Sequence, residues 1–231
     1  MNTVAEITIL GRYLAALSHF AAVQDVRFYL KGICLEIHPT ETRLIATTGV
    51  RMMAVRHFEE VALDKPLQVI IPTELFKGCR GQGPTIVRVG ELANENTSHV
   101  RHVAVSATAG ATWAQGLSLD GRFPEWQRVF PSEVSGEVSQ LDPLELAEVT
   151  KGFVALNGKK ATTSMTIGHA GESSAVLVNM LDPNVTAILM PLRKTKVDLD
   201  AEKETGVPWV PKHPHAWVKQ QPGENPAGDL V

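Results

Sequence analysis

One order of predicted elements recurs along the 231 residues: an alternating strand, a helix, and then several strands. A chain that repeats such a unit can bury the apolar face of each helix against a sheet. Three copies can be recognised, and their helices begin at intervals of roughly 60 to 70 residues. The pattern predicts an α+β protein in which strands outnumber helices.

Each predicted helix follows a strand-like segment. The first is predicted over Leu10–Ala22, because apolar residues recur there at helical spacing. The second is predicted from Pro72 through Cys79, because proline suits a first helical turn. The third has the clearest start, with Asp142 as N-cap and Glu145 where a capping box places an acid. The apolar faces are Leu10, Leu14, Leu17 and Ala21 in the first helix and Leu146, Val149 and Phe153 in the third.

Segments rich in alternating or β-branched residues follow each helix. They are FYLKGICLEIH, TRLIATT and MMAVRHF in the first unit, TIVRVG, HVAVSAT and ATWAQGLSL in the second, and ATTSMTIG, SAVLVNML and VTAILMPLR in the third. From Lys194 onward the sequence has neither helical nor strand periodicity. Five prolines in this stretch predict an extended or disordered tail. Trp209 and Trp217 in this tail either pack against the body, which we slightly favour, or anchor a partner.

Composition restricts the function classes. The formal net charge is −3, so the chain does not resemble proteins that coat nucleic acid through a general basic excess. The apolar runs are too short to cross a bilayer and the N-terminus lacks a basic leader, which predicts a cytoplasmic protein without membrane contact. Cys34 and Cys79 form no CxxC pair, so neither a disulfide framework nor a metal site is expected. No cofactor-binding or catalytic motif is present, and we expect a non-enzymatic protein.

Four segments in order resemble the β subunit of bacterial DNA polymerase III, the sliding clamp. They are QDVRFYLKGICLEI, RLIATTGVRMMAV, LDGRFPEWQRVFP and ILMPLR. The resemblance implies a DNA-clamp fold, with antiparallel sheets outside and helices facing the interior of a ring. Residues 1–131 are similar to the family's complete middle domain, residues 132–193 to the second half of its last domain, and 194–231 form the additional tail. The chain is therefore similar to a shortened clamp.

The family also implies a pocket, where partners dock a short motif with hydrophobic anchors between three chain segments. Methionine side chains adapt to varied partners, and proline supplies rigid walls without an N–H group. Periodicity alone would assign Met52, Ile188 and Leu189 to the core, and only the joint occurrence of the three segments favours a pocket instead. The implied set is Thr47, Gly49, Arg51, Met52, Pro124, Arg128, Val129, Ile188, Leu189, Met190, Pro191 and Leu192.

A second implied set would contact DNA from the helix side of the ring. Contacts of cationic side chains with phosphates are independent of sequence and sensitive to salt. The alternative is an ordinary solvated face, and Glu145 and Glu148 on the third helix weaken the DNA interpretation. The set is Arg12, His19, Gln24, Arg27, Tyr29, Lys77 and Arg80. In the connector between units, Asp120 and Arg122 are expected to form a structural ion pair.

Two functional hypotheses follow from the resemblance. The first is a sliding clamp that encircles duplex DNA as a homo-oligomer and tethers a DNA polymerase and other proteins with clamp-binding motifs, with a clamp loader as a further candidate partner. The second is a clamp-like adaptor or decoy that keeps the pocket without closing a ring. An unrelated enzyme is a remote third, because no reactive constellation is visible.

Overall fold

A computed structural model describes residues 2–79, 83–93, 99–107, 112–159 and 164–193. The chain divides into two compact units, Met1–Arg193 and Lys194–Val231. The second unit, with the predicted proline-rich tail and both of its tryptophans, lies outside the described residues. The described fold is therefore that of the first unit.

The described residues form mainly strands, with few helices. The α-helices are α1 (Gly11–Ser18) and α2 (Pro143–Asn157), and 3₁₀ turns cover Phe28–Lys31, Thr73–Phe76 and Trp126–Val129. The strands are β1 (Thr3–Leu10), β2 (Gly32–Ile37), β3 (Glu41–Thr47), β4 (Arg51–Phe58), β5 (Leu67–Pro72), β6 (Pro84–Leu92), β7 (Arg101–Ala107), β8 (Thr112–Leu117), β9 (Thr166–Gly168), β10 (Val176–Asn179) and β11 (Val185–Leu189).

Two antiparallel sheets link the repeated units. One has the order β1-β6-β7-β8, and the other has the order β5-β2-β3-β4-β11-β10-β9. The first strand of each of the first two units thus joins the sheet of the other unit: β1 pairs with β6, and β5 pairs with β2. The third unit lengthens the second sheet, because β11 pairs with β4. All three units are held together by strand pairing, and the proposed domain division at residue 131 stays a prediction.

The helices pack against each other and share one apolar core with both sheets. Phe20 and Leu14 at the first helix and Val149 on the third unit's helix are fully buried in it. Gly152 of α2 lies against Phe20, where an added Cβ would stand 2.6 Å from the ring. Removal of apolar surface from water is the main stabilising term for such a core, at about 25 cal/mol per Å².

The three predicted helices have different outcomes. The third is confirmed, and the Asp142 side chain accepts a hydrogen bond from the Leu144 backbone N–H as an N-cap does. The first is shorter than predicted, since i→i+3 bonds after Ser18 tighten its last turn. The second prediction is wrong, because the segment forms a 3₁₀ turn and not an α-helix. Pro72 ends β5, the turn follows it, and the Cys79 N–H donates to the Phe76 carbonyl. Gly78 weakens any α-helical continuation there.

Candidate functional site

An open cavity of about 180 Å³ lies where the β3–β4 hairpin meets residues 124–129 and the end of β11. Its floor is apolar and its rim carries a few polar groups. The lining residues are Arg27, Leu30, Thr47, Gly49, Val50, Arg51, Met52, Pro124, Glu125, Trp126, Val129, Ile188 and Met190.

The hairpin turn fixes one wall. The Thr47 hydroxyl donates to the Arg51 carbonyl at 2.9 Å and accepts from the Gly49 N–H at 2.9 Å. Gly49 has φ +91°, a left-handed conformation that glycine adopts without a Cβ penalty. The guanidinium of Arg27 lies against this turn and donates to the Thr48 carbonyl at 3.1 Å. A side chain at position 49 would also press on that guanidinium, 3.1 Å from the Cβ position.

Strand pairing supplies the floor. Met52 of β4 stands opposite Ile188 of β11, and the Met190 N–H donates to the Val50 carbonyl at 2.7 Å. Successive strand residues point to opposite faces, so Ile188 and Met190 share the cavity face. Leu189 points to the other face and is completely buried there. Its side chain therefore belongs to the packed interior.

A 3₁₀ turn forms the third wall. The Trp126 indole N–H donates to a Glu36 carboxylate oxygen at 3.2 Å, and its ring meets that of Phe130 edge-on at 5.9 Å between centroids. These contacts hold Trp126 and place Val129 at the rim, where it is 44% exposed. Arg128 points outward instead, 80% exposed, and pairs with Glu125 at 2.7 Å.

Arg51 connects the cavity to the helices. Its Nε donates to the His19 carbonyl at 2.7 Å, and its guanidinium forms an ion pair with Glu145 of α2. The Arg51 side chain is nearly buried, so both partners are needed to satisfy its donors. The wall of the cavity is thus fixed by both helices.

The structure gathers most, but not all, of the predicted pocket set. Eight residues line the cavity: Thr47, Gly49, Arg51, Met52, Pro124, Val129, Ile188 and Met190. Arg128, Leu189, Pro191 and Leu192 do not line it. Sequence reasoning missed Arg27, Leu30, Val50, Glu125 and Trp126 as lining residues. Trp126 lies in the sequence between two predicted pocket residues, Pro124 and Val129. This position could have identified it as a lining residue.

The predicted DNA-contact set has a different character, because two of its arginines are already paired with carboxylates and its histidine lies beside a third. Arg12 pairs with Asp182 at 3.2 Å, with a hydrogen bond from the Tyr13 hydroxyl to the same oxygen at 2.9 Å. His19 lies 3.4 Å from Glu148, and Arg27 lies 2.8 Å from Asp25. The hydrogen bond from Arg27 lowers the pKa of Asp25 to about 2, and Lys151 similarly lowers the pKa of Glu148.

The other members of that set are dispersed. Gln24 and Lys77 are exposed. Tyr29 is half-buried and contacts the ring of Phe28 edge-on at 5.9 Å. Arg80 lies outside the described residues. The described part of the set is therefore not a continuous patch of free positive charge.

Further expectations concern other side chains. Asp120 and Arg122 form no ion pair although both are described, so that prediction is wrong; the Asp120 carboxylate accepts instead from the Gly121 N–H at 2.9 Å.

Cys34 and Cys79 are buried free thiols, and burial raises the pKa of both. Across the described ranges, no group of three metal-ligating side chains comes together. Nor does any helix among them have the length and apolar content to cross a membrane.

Interlocked antiparallel sheets that share a core with two packed helices, with a third unit extending one sheet, define the DNA-clamp fold. Solved sliding clamps have the same architecture. A Pseudomonas aeruginosa DNA polymerase sliding clamp, solved with a ligand, superposes with TM-score 0.62 at 17% identity over 84% of this chain and 67% of that one. The β subunit of DNA polymerase III from Thermotoga maritima gives TM-score 0.59 at 15% identity, over 84% and 67% of the respective chains.

In sequence, the chain is similar to bacterial β sliding clamps. The β sliding clamp of Pseudomonas aeruginosa is 31% identical over 126 residues, which is 53% of this chain and 32% of that protein. The clamp of Vibrio cholerae is 33% identical over 119 residues, 49% of this chain and 29% of its own length. The chain thus matches about a third of the length of these curated relatives. No protein-family model matches it.

Proposed function

We propose that the chain is a DNA sliding clamp, a non-catalytic processivity factor that tethers a replicative DNA polymerase and other replication proteins to duplex DNA. The main support is the cavity, which three separated segments build from residues that the clamp resemblance had implied. A P. aeruginosa clamp of the same fold has been solved bound to griselimycin. The relatives are bacterial, and bacterial DNA is replicated in the cytoplasm. The cytoplasm is therefore the proposed location of this chain.

The proposed ligand of the cavity is a short clamp-binding peptide with Leu or Phe anchors. Its floor of Met52, Ile188 and Met190 suits an apolar anchor, and half-buried Met190 can adjust to different ones. Few anchors usually dominate such binding, so we expect micromolar affinity, roughly −8 kcal/mol.

Encircling DNA would require several copies, and a clamp loader would be needed to open a closed ring. Among the described strands, β8 ends one sheet and β9 ends the other, so both are edges whose outer backbone groups pair with no described strand. Symmetric association of copies would cover such edges. The proposed assembly is accordingly a homo-oligomer around the duplex.

Calorimetric titration with a clamp-binding peptide tests the pocket. Val129→Glu places a carboxylate at the apolar rim and should weaken binding by about tenfold or more, because an unpaired charge would lose water there. Val138→Glu is the matched control, since Val138 is 68% exposed and does not line the cavity. Equal binding by parent and Val129→Glu, or no binding by the parent, would reject the pocket.

The ion pairs on the helix side favour a second candidate, the adaptor or decoy that binds clamp-binding motifs or a host clamp without encircling DNA. Arg12 and Arg27 each pair with a carboxylate, which lowers the positive charge available for phosphates, and His19 lies beside Glu148. Retention on circular DNA separates the candidates. A sliding clamp loaded on a circle remains bound and dissociates after linearisation, whereas an adaptor dissociates equally from both.

A further inference from the structure

A second concavity, separate from the first cavity, lies beside the edge of the seven-stranded sheet. It encloses about 470 Å³ between β5, the start of β7 and the segment after β8. We name it the β5 cleft. Its lining residues are Leu67, Gln68, Val69, Ile70, His99, Arg101, Leu119, Gly121 and Arg122.

The walls of the β5 cleft are fixed by hydrogen bonds. The Ser118 hydroxyl accepts from the Arg101 N–H at 2.8 Å, and the Ser118 N–H donates to the Arg101 carbonyl at 2.8 Å. On the other side, the Phe123 N–H donates to the Gln68 side-chain oxygen at 3.4 Å. The cleft is therefore built from regular, hydrogen-bonded segments of the fold.

The two arginines of the cleft have no carboxylate partner among the described residues, and the Arg101 guanidinium donates to the Gly90 carbonyl at 3.4 Å. Most described arginines pair with a carboxylate; Arg101, Arg122 and Arg193 are those for which no described carboxylate lies within ion-pair distance. Two of these three, together with His99, line the β5 cleft, and none of its described lining residues is an acid. This contrasts with the helix side, where Arg12 and Arg27 face acids.

The floor of the cleft is the free side of an edge strand. Within the described ranges, β5 pairs with β2 on one side, and its other side carries a single bridge in which the Leu119 N–H donates to the Ile70 carbonyl at 2.7 Å. In an antiparallel pair, backbone groups of alternate residues point to the same side. The N–H and carbonyl of Gln68 therefore point away from β2, as Ile70 does, and toward the cleft.

We propose that the β5 cleft binds an extended acidic peptide segment of a partner protein, which adds as a short strand to β5 beside Gln68. Main-chain hydrogen bonds to the edge would hold the segment, its apolar side chains would meet Leu67 and Leu119, and its carboxylates would pair with Arg101 and Arg122. The edge strand and apolar lining favour a peptide over a nucleic acid, whose phosphates would use only the cations. This site is independent of the proposed peptide pocket and of ring closure.

The probe is an end-blocked peptide of about eight residues that alternates valine and glutamate, with a matched peptide carrying glutamine in place of glutamate. Fluorescence titration of the full chain should give binding that is about tenfold weaker for the glutamine peptide, because charge-assisted hydrogen bonds are lost. Amide hydrogen exchange should slow at Gln68 when the glutamate peptide is bound, since strand addition protects that N–H.

The variant is Arg101→Gln with Arg122→Gln, which should weaken the glutamate peptide by about tenfold or more. The control is Lys159→Gln with Arg193→Gln, which removes the same charge from exposed side chains outside the cleft and should not alter binding. If Arg101→Gln lowers the melting temperature, Arg122→Gln alone gives the same comparison, because the Arg122 side chain is exposed.

Three results would overturn the proposal. One is equal binding of the glutamate peptide by the cleft variant and the parent, or no binding by the parent. Another is peptide binding that leaves exchange at Gln68 unchanged. The third is binding of oligothymidine in place of the peptide, lost in the cleft variant, which would assign the cleft to nucleic acid.

Discussion

The cavity behind the β3–β4 hairpin and the helix side next to it use charged residues differently. In the cavity, Met52, Ile188 and Met190 leave an apolar floor open, and Arg51 is fixed by partners behind the wall. On the helix side, Arg12 and His19 face Asp182 and Glu148. The first region has an unfilled apolar surface, whereas the second has charges that already interact within the protein.

This difference indicates where binding energy is available. An open apolar surface gains free energy when a partner covers it. A cation that already contacts a carboxylate gains less from a phosphate, because the existing pair must first be broken. The cavity is therefore the stronger candidate site of the two, and the proposed DNA contact through the helix side would depend on residues such as Lys77 that have no ion pair among the described residues.

The largest expected effect separates the interior from the cavity. Leu189→Ala should lower the free energy of unfolding by about 2–5 kcal/mol, because the side chain is completely buried on the face away from the cavity. Met190→Ala is the matched change at a half-buried cavity position, and should cost less stability while weakening the peptide. Denaturant unfolding measures both. A smaller stability loss for Leu189→Ala than for Met190→Ala would contradict the assignment of faces.

A somewhat smaller effect tests the packing of the helix side. Gly152→Ala should destabilise the protein by about 1–3 kcal/mol, since the new Cβ would stand 2.6 Å from the buried ring of Phe20. Alanine normally stabilises a helix relative to glycine, so a loss of stability on this substitution would itself indicate close packing. Thr150→Ala on the exposed side of α2 is the control for thermal unfolding. A higher melting temperature for Gly152→Ala would mean that the helices pack less closely.

Arg12 and Lys77 provide a paired test of available charge. Arg12→Gln should lower the free energy of unfolding by about 1–2 kcal/mol, because partly buried Asp182 loses its cation. Lys77→Gln should leave stability unchanged and reduce the slope of log affinity for DNA against log salt by about one. If Arg12→Gln instead reduces the slope without altering stability, its guanidinium is available to phosphate.

The smallest effect concerns the Asp25–Arg27 pair at the rim of the cavity. The pKa of Asp25 is lowered to about 2 from 3.8, first by the side-chain hydrogen bond from Arg27. Because the folded-state pKa is depressed, any stabilisation by the pair is complete above about pH 4 and is lost as pH falls through about 2. A carboxyl titration by NMR should give this low value, and Arg27→Gln should raise the pKa of Asp25 toward the ordinary one, because the backbone N–H at position 27 still donates to the carboxylate. An ordinary pKa in the parent would mean that the pair does not form in solution.

Much of the fold could be predicted because local signals agreed with tertiary packing. Asp142 and Glu145 marked the start of α2, and alternating segments marked most strands. The segment after Pro72 misled the prediction, because proline suits a first helical turn, whereas here it ends β5 and only a 3₁₀ turn follows. A proline after a strand therefore does not by itself indicate an α-helix.

The site was less predictable, since it depends on strand faces and distant partners. Leu189 and Met190 are adjacent in the sequence, and only the pairing of β11 with β4 decides which of them faces the cavity. The partner of Arg12 is Asp182, 170 residues away, so the sequence could not indicate that its charge is paired. Trp126 lies in one of the four segments that resemble the clamp family, but the sequence did not indicate that its ring forms a wall of the cavity.

NMR of methyl-labelled methionine tests the central claim most directly, because the chain contains its own controls. Met52 and Met190 line the cavity, whereas their fully buried counterparts Met53 and Met180 do not. Addition of a clamp-binding peptide should shift the methyl signals of Met52 and Met190 and leave those of Met53 and Met180 in place. Unchanged signals at Met52 and Met190 at saturating peptide, or equal shifts at all four, would contradict the assignment of the cavity as the binding site.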